Sequence, residues 1–272
     1  MRIALCQLPG SSDPGVNLRR VREALRDAAV SGADLAVFPE ATLTRLGSDL
    51  RAAAEPLDGP FCSGLSAAAK ETGVALVAGV FEPAPGGRVY NTAVVIDGDG
   101  ALVASYRKLH LFDAFAQHES DTVAPGSSVV MATLAGVRVG VQICYDIRFP
   151  ELTRALAAGG AVLVTVSAAW QAGLFKEEHW VTLLRARAIE NTVWIAAVGQ
   201  VPDPDEKPTR APTGVGRSML IDPLGVVRSD LGPSAGVAVT NADMSLVDTV
   251  RATLPSLANR REDVFRFRPQ GQ

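Results

Sequence analysis

Apolar residues along this chain follow two alternating rhythms. Short unbroken runs mark buried strands, and stretches with apolar residues every three or four positions mark helices. Residues 2–8, "RIALCQL", form the first run. Residues 17–33 then place Leu18, Val21, Leu25 and Ala28/Ala29 at helical spacing, with arginines on the other face. "DLAVFPE" is a short run closed by proline, a strand ending at residue 38. "GPFCSGLSAAAKETG" reads as a helix and "VALVAGVFE" as a strand. "RVYNTAVVID" and "ALVASYRKL" flank an Asp-Gly-Asp-Gly turn and predict a hairpin.

The second half repeats the rhythm. "VVMATLAGVRVGVQICYD" is a hairpin turning at Ala-Gly. "FPELTRALAAGG" is a helix with Pro150 in its first turn and glycines at its end. "AVLVTVSAAW" is a strand, "FKEEHWVTLLRARAIEN" an amphipathic helix with a charged, solvated face, and "TVWIAAVGQ" a strand. "RSMLIDPLGVVRSD" is a third hairpin, and "GVAVTNAD" and "MSLVDTVRATL" close the body. Two segments lack a period. Residues 110–128 read as a long loop, of the kind that often carries function. Residues 201–216 are a proline-rich surface loop. No repeat occurs at a fixed period, and no linker divides the chain. The pattern therefore predicts one domain over residues 1–272, with some fifteen elements and about ten strands. Residues 255–272 form a charged, aromatic tail suited to packing on a partner subunit. Crossovers mixed with hairpins imply an α/β fold with two mixed sheets and helices outside.

Composition narrows the function. Of 272 residues, 47% are hydrophobic and 20% charged, as in ordinary globular proteins. A net charge of −3 and the lack of a basic stripe argue against a nucleic-acid partner. No run approaches the roughly 18 to 20 apolar residues that span a bilayer, which argues against a membrane partner. The N-terminal run is too short for a signal peptide. Cys6, Cys62 and Cys144 are far apart, with no disulfide or zinc spacing. The expected location is the cytoplasm. Lysines stand only at positions 70, 108, 176 and 207, so an oddly placed lysine carries information.

Three apolar runs end in a reactive side chain: "LAVFPE" in Glu40, "LVASYRK" in Lys108 and "VGVQIC" in Cys144. Taken singly, each is compatible with a surface charge or a packed thiol. Converging at one sheet rim, they would make a nucleophilic apparatus. The thiolate attacks, the carboxylate moves protons, and the ammonium favours the thiolate and the anionic intermediate. Tyr145 follows the nucleophile at a strand-to-helix turn, where its backbone N–H can join Lys108 in an oxyanion hole.

The flanks of these residues resemble the nitrilase superfamily of carbon–nitrogen hydrolases. The matching stretches are "VFPE", "YRKLHLFD", "ESDTVAPG", "CYDIRFPEL", "HWVTLLRARAIEN" and "GRSMLIDPLG", in order from residue 1 to about 250. The resemblance implies a four-layer α-β-β-α sandwich, a Glu-Lys-Cys triad, and no cofactor or metal. It makes Glu40 the general base and acid, Lys108 the oxyanion stabiliser, Cys144 the nucleophile and Glu119 the residue that assists Lys108 and the departing amine. It also implies a homodimer or higher homo-oligomer, packed through the helix of "RARAIEN" and the helix after the nucleophile. Trp170 would line the pocket.

The motifs look most like the omega-amidase and deaminated-glutathione amidase branch. The expected substrate is a small aliphatic, carboxylate-bearing amide, cleaved to acid and ammonia through a thioester. An N-carbamoyl amide or a nitrile needs the same triad, and a catalytically silent binding protein could keep the fold. Arg148 is a candidate clamp for a substrate carboxylate, or an ion-pair partner of Asp146 or Glu151. A Cys-His mechanism would use His110, His118 or His179, and a metal site would use His110, His118 and Glu119; neither matches the strand-end pattern. Cys6, Cys62, Tyr106 and Phe149 read as packing.

Overall fold

The computed structural model describes residues 1–207, 210–261 and 263–264. Half of the expected C-terminal tail, residues 262 and 265–272, lies outside the described residues.

The first half begins with β1 (Arg2–Gln7), α1 (Pro14–Val30) and β2 (Leu35–Val37). It continues through α2 (Leu50–Ala53) and α3 (Pro60–Thr72) to β3 (Ala75–Ala84), β4 (Arg88–Ile96), β5 (Leu102–Arg107) and the two-residue β6 (Val123–Ala124). The second half has β7 (Met131–Leu134), β8 (Val137–Ile143), α4 (Pro150–Ala158) and β9 (Leu163–Ala168). α5 (Lys176–Asn191), β10 (Trp194–Gly199), β11 (Met219–Ile221), β12 (Val227–Asp230), β13 (Gly236–Asn241) and α6 (Ser245–Thr253) complete it. The three predicted hairpins are present. The short elements α2 and β6 emerge from stretches with no readable period.

Two mixed sheets result. One has the order β13-β1-β2-β3-β4-β5, with β6 beside β4; the other runs β12-β11-β10-β9-β8-β7. Each has three parallel strands at its centre, β1-β2-β3 and β8-β9-β10, and antiparallel strands outside. Apart from β6, which runs parallel to β4, the two sheets thus share one strand pattern that no sequence period reveals, although β13 of the first comes from the end of the chain. The sheets face each other, with α1 and α3 outside the first and α4 and α5 outside the second.

Burial on both faces explains the unbroken apolar runs. In β1, Ile3 and Leu5 join the core between the sheets, while Ala4 and Cys6 join the core beneath α1 and α3. Local signals set the helix starts. Asp13 accepts hydrogen bonds from the N–H groups of Gly15 (2.7 Å) and Val16 (3.4 Å), capping α1, and Pro14 and Pro150 open α1 and α4. One expectation fails. The polar residues of "RARAIEN" do not form one solvated face: Arg185 is exposed, but Arg187 and Asn191 are buried. Arg187 donates to the Ile147 carbonyl at 3.0 Å and so ties α5 to the turn that carries Cys144.

Strand direction places the site. β5 is reached from β3 by two antiparallel steps, so it points the same way as β2 and β3. The carboxyl ends of β2 and β5 therefore share a rim. The exit of β2 lies across β3, where the Gly79 N–H donates to the Pro39 carbonyl (3.1 Å) and Leu43 N–H donates to the Gly79 carbonyl (3.1 Å). A Cβ on Gly79 would overlap the backbone carbonyl of Glu40.

Gly79→Ala is accordingly expected to lower stability by about 1–3 kcal/mol, the usual cost of forcing atoms into a packed site. It should also displace Glu40 and reduce reactivity in the folded fraction. Urea melts read alongside Cys144 alkylation would show both effects.

Candidate active site

Three chain exits meet in one cavity. Past β2, Phe38 N–H donates to the Val77 carbonyl and Thr42 Oγ1 to the Pro39 carbonyl, which holds Glu40 in a tight turn, 1% exposed. Past β5, Lys108 N–H donates to the Asn91 carbonyl at 2.9 Å, extending the ladder with β4 by one more bond. Its side chain is 2% exposed. Past β8, Cys144 begins a 3₁₀ turn over Cys144–Arg148 with φ +46°. A non-glycine residue in the left-handed region is uncommon and strained, and such strain concentrates at functional sites.

Lys108 Nζ joins the carboxylates. It lies 2.8 Å from Glu40 Oε1, and 2.9 and 3.1 Å from the two oxygens of Glu119. Asn91 Nδ2 repeats the bridge, 2.8 Å from Glu40 Oε1 and 3.2 Å from Glu119 Oε1. Backbone groups complete the set. The Ala169 N–H, just past β9, donates to Glu40 Oε2 (2.9 Å), and the Phe112 N–H donates to Glu119 Oε2 (2.6 Å). Both sheets therefore hold Glu40. The sequence reading missed Asn91. Its signal was a lone amide inside the apolar strand "VYNTAVV".

The charges decide the resting protonation. Burial alone would raise the Glu40 carboxyl, but Lys108 and the hydrogen bonds from Ala169 and Asn91 hold it below its ordinary value. Burial would lower the Lys108 ammonium; Glu119 and Glu40 override this and hold it well above. Burial pushes the Cys144 thiol well up, and the adjacent Glu40 charge and hydrogen bond push it further, against the pull of Lys108. Lys108 does favour the thiolate, as expected, but burial and Glu40 outweigh it. Two carboxylates share one ammonium, so the local charge is negative and Cys144 rests as a thiol beside an ionised Glu40.

Asp146 anchors the nucleophile turn. It is fully buried and accepts from the Ile143 N–H (3.0 Å), the Tyr106 hydroxyl (2.7 Å) and the His110 N–H (3.1 Å). His110 Nδ1 lies 2.8 Å from Oδ1, the same oxygen that accepts from the His110 N–H, and the ring stacks on Phe149 at 3.8 Å. Tyr106 is on β5, so Asp146 links the Cys144 turn to the strand that presents Lys108.

The cavity is about 160 Å³, and Glu40, Lys108, Glu119, Cys144, Tyr145 and Trp170 are among its lining residues. Trp170 donates from Nε1 to the Lys176 carbonyl (2.7 Å) and packs on Trp180. Arg148 does not line the cavity. Its guanidinium lies 4.9 Å from the Trp170 ring centre and 3.3 Å from His179 Nδ1, and it pairs with neither Asp146 nor Glu151. His118 is exposed at the cavity wall, and among the described residues none of the three histidines hydrogen-bonds Cys144. No group of three histidine, cysteine or acidic side chains among the described residues could hold a metal. Cys6 and Cys62 pack in β1 and α3, where burial pushes their thiols up, Cys62 to about 12. The sequence reading also missed Lys176, which lines the cavity from the stretch "QAGLFKEE".

Comparison with known proteins identifies the family. The family model described as carbon-nitrogen hydrolase matches residues 2–252. A Mycobacterium tuberculosis protein named as a hydrolase is 44% identical, over 97% of each chain. The omega-amidase of Danio rerio is 35% identical, over 97% of this chain and 96% of its own. Among solved structures, a glutamate-to-glutamine variant of the amidase from Nesterenkonia sp. AN1 superposes with a TM-score of 0.83 at 29% identity. The match covers 98% of this chain and 95% of that one. That structure shows covalent addition of the acetamide moiety of fluoroacetamide at the active-site cysteine. Among the described residues no helix is long and apolar enough to cross a membrane.

Since the Glu40 charge raises the thiol, Glu40→Gln should move the pH midpoint of Cys144 alkylation by iodoacetamide downward. Mass spectrometry across a pH series would show the shift; a midpoint that stays or rises would contradict the assigned charge balance. Lys108→Met leaves two carboxylates buried without their cation and should lower stability by about 3–5 kcal/mol in a urea melt.

Proposed function

The chain belongs to the carbon–nitrogen hydrolase family, and we propose that it is an amidase that cleaves a small aliphatic, carboxylate-bearing amide to a carboxylic acid and ammonia. One observation carries this reading: Glu40, Lys108 and Cys144 line one cavity, where Lys108 Nζ lies 2.8 Å from Glu40 Oε1. The relative named omega-amidase and the amidase structure with a modified active-site cysteine support it.

In the first half-reaction Glu40 takes the thiol proton as Sγ bonds to the amide carbonyl carbon. The carbonyl oxygen gains the electron pair. Lys108 and the Tyr145 backbone N–H are the donors for that oxyanion; N–H groups at the start of a helical turn have no partner within it. Losing one such donor typically costs about 3–4 kcal/mol of transition-state stabilisation. As the oxyanion collapses, the C–N bond breaks and Glu40 returns its proton to the nitrogen, which leaves as ammonia. The thioester remains on Cys144. In the second half-reaction Glu40 takes a proton from water, the hydroxyl oxygen bonds to the thioester carbon, and the C–S bond breaks. The acid departs and the thiol regains its proton. Glu119 keeps Lys108 charged and aimed throughout.

We also propose that the chain works as a homodimer. Ile189 on α5 is exposed, and the turn holding exposed Leu224 and Val226 lies against it.

A panel of short ω-amides, N-carbamoyl amino acids and nitriles, read by ammonia release, tests the activity. The amides are expected to turn over fastest. Cys144→Ala should abolish turnover, and retained turnover would refute the nucleophile. Light scattering at micromolar concentration is expected to give twice the chain mass; a monomer would refute the dimer.

A further inference from the structure

Around Lys176 the usual order of burial is inverted. Leu174 and Phe175 are 83% and 61% exposed, while the lysine that follows them is 5% exposed. Hydrophobic burial predicts the opposite, since lysine is almost never buried without a partner. The backbone makes the exchange. Phe175 adopts φ 56°, ψ 11°, a left-handed conformation that is an outlier for a bulky side chain. The residue so strained faces outward, and the next one, the first of α5, is buried against the cavity.

Lys176 has no anionic partner. Among the described residues its ammonium makes no ion pair, and aromatic rings stand where a carboxylate would be expected. Its Nζ is 4.1 Å from the ring centre of Phe115, 5.0 Å from Phe112 and 5.4 Å from Trp170. Ring faces attract a cation but replace its hydration poorly. Burial, and then the charge of Arg148, pulls the ammonium below its ordinary proton affinity. Arg148 adds a second positive charge without a carboxylate, and its buried Nε has no partner.

The cavity is therefore electrically polar. Glu40 and Glu119 share the one ammonium of Lys108, a net negative charge beside the thiol. Lys176 lines the same cavity without a carboxylate, and Arg148 lies beyond Trp170. An amide with a carboxylate at the far end of its acyl chain fits this polarity in one orientation. Its anion is repelled by Glu40 and Glu119 and drawn to Lys176, which leaves the amide carbon at Cys144.

We propose that Lys176 is the specificity residue of this site and holds the carboxylate at the distal end of the substrate's acyl chain. This rests on the amidase reading above and assigns the recognition of its acyl group to one side chain. A bound carboxylate supplies the missing partner and offsets the cost of burying the ammonium.

The test compares succinamate with butyramide, a neutral amide of similar length, in the wild-type enzyme and in Lys176→Met, which keeps the aliphatic stem. The expected result is a roughly 10- to 100-fold fall in kcat/KM for succinamate, carried by KM, the range for a lost hydrogen bond to a charged group. Butyramide should stay within about threefold. Lys176→Arg should keep the preference for succinamate, and Lys176→Glu should reverse it. Equal losses on both amides with an unchanged melting temperature, or no loss on succinamate, would overturn the proposal. Titration with succinate separates it from the amidase reading. If neither amide is hydrolysed but succinate binds the wild type and binds Lys176→Met at least tenfold more weakly, the amidase reading fails and the anion site stands. If both amides are hydrolysed and succinate binds both proteins equally, the anion site fails and the amidase reading stands.

Discussion

The ammonium of Lys108 holds two carboxylates that would otherwise repel each other inside the protein. Glu40 comes from the exit of β2, Glu119 from the loop after β5, and Lys108 from the end of β5 itself. Like charges a few ångströms apart in a low-dielectric interior cannot both ionise without a cation between them. The pair of contacts at 2.8 and 2.9 Å therefore keeps Glu40 ionised, and burial together with the Glu40 charge raises the Cys144 thiol. Asn91 and two backbone N–H groups fix the carboxylate oxygens, so the arrangement is held from strands, a loop and both sheets at once.

That arrangement inverts a common view of reactive cysteines. A neighbouring cation usually lowers a thiol's pKa and leaves a thiolate waiting. Here the cation is already engaged by two anions. Burial and the Glu40 charge outweigh its pull, and the net shift of the thiol is upward. Asp146 adds a second tie: by joining the Cys144 turn to Tyr106 on β5, it links that turn to the strand that presents Lys108.

Part of this was legible in the chain. Glu40, Lys108 and Cys144 stood out because each ends an apolar run, and a buried run that stops at a charge or a thiol puts that group at a sheet rim. Glu119 lies in a stretch with no period and was reached through resemblance alone. Asn91 and Lys176 were missed for different reasons. Asn91 looked like one polar residue in a strand, and only the pairing of β4 with β5 aims its amide at two carboxylates. Lys176 sits in "GLFKEE", where the rule of apolar-in and charged-out gives the wrong answer. The charged face assigned to "RARAIEN" fails similarly: Arg187 is buried because the Ile147 carbonyl needs a donor.

The amino-acid sequence by itself determined most of the elements, the two mixed sheets with helices outside, and the candidate groups Glu40, Lys108 and Cys144. Those follow from the spacing of apolar residues, from capping and turn residues, and from side-chain chemistry, all of which act locally. Only the tertiary structure decided that two sheets unrelated in sequence period share one strand pattern, that Cys144 rests as a thiol, and that a lysine faces inward while its apolar neighbours face water. Each of these depends on the distances between groups far apart in the chain. Coulomb energy and desolvation depend on those distances and surroundings, and no local pattern encodes them.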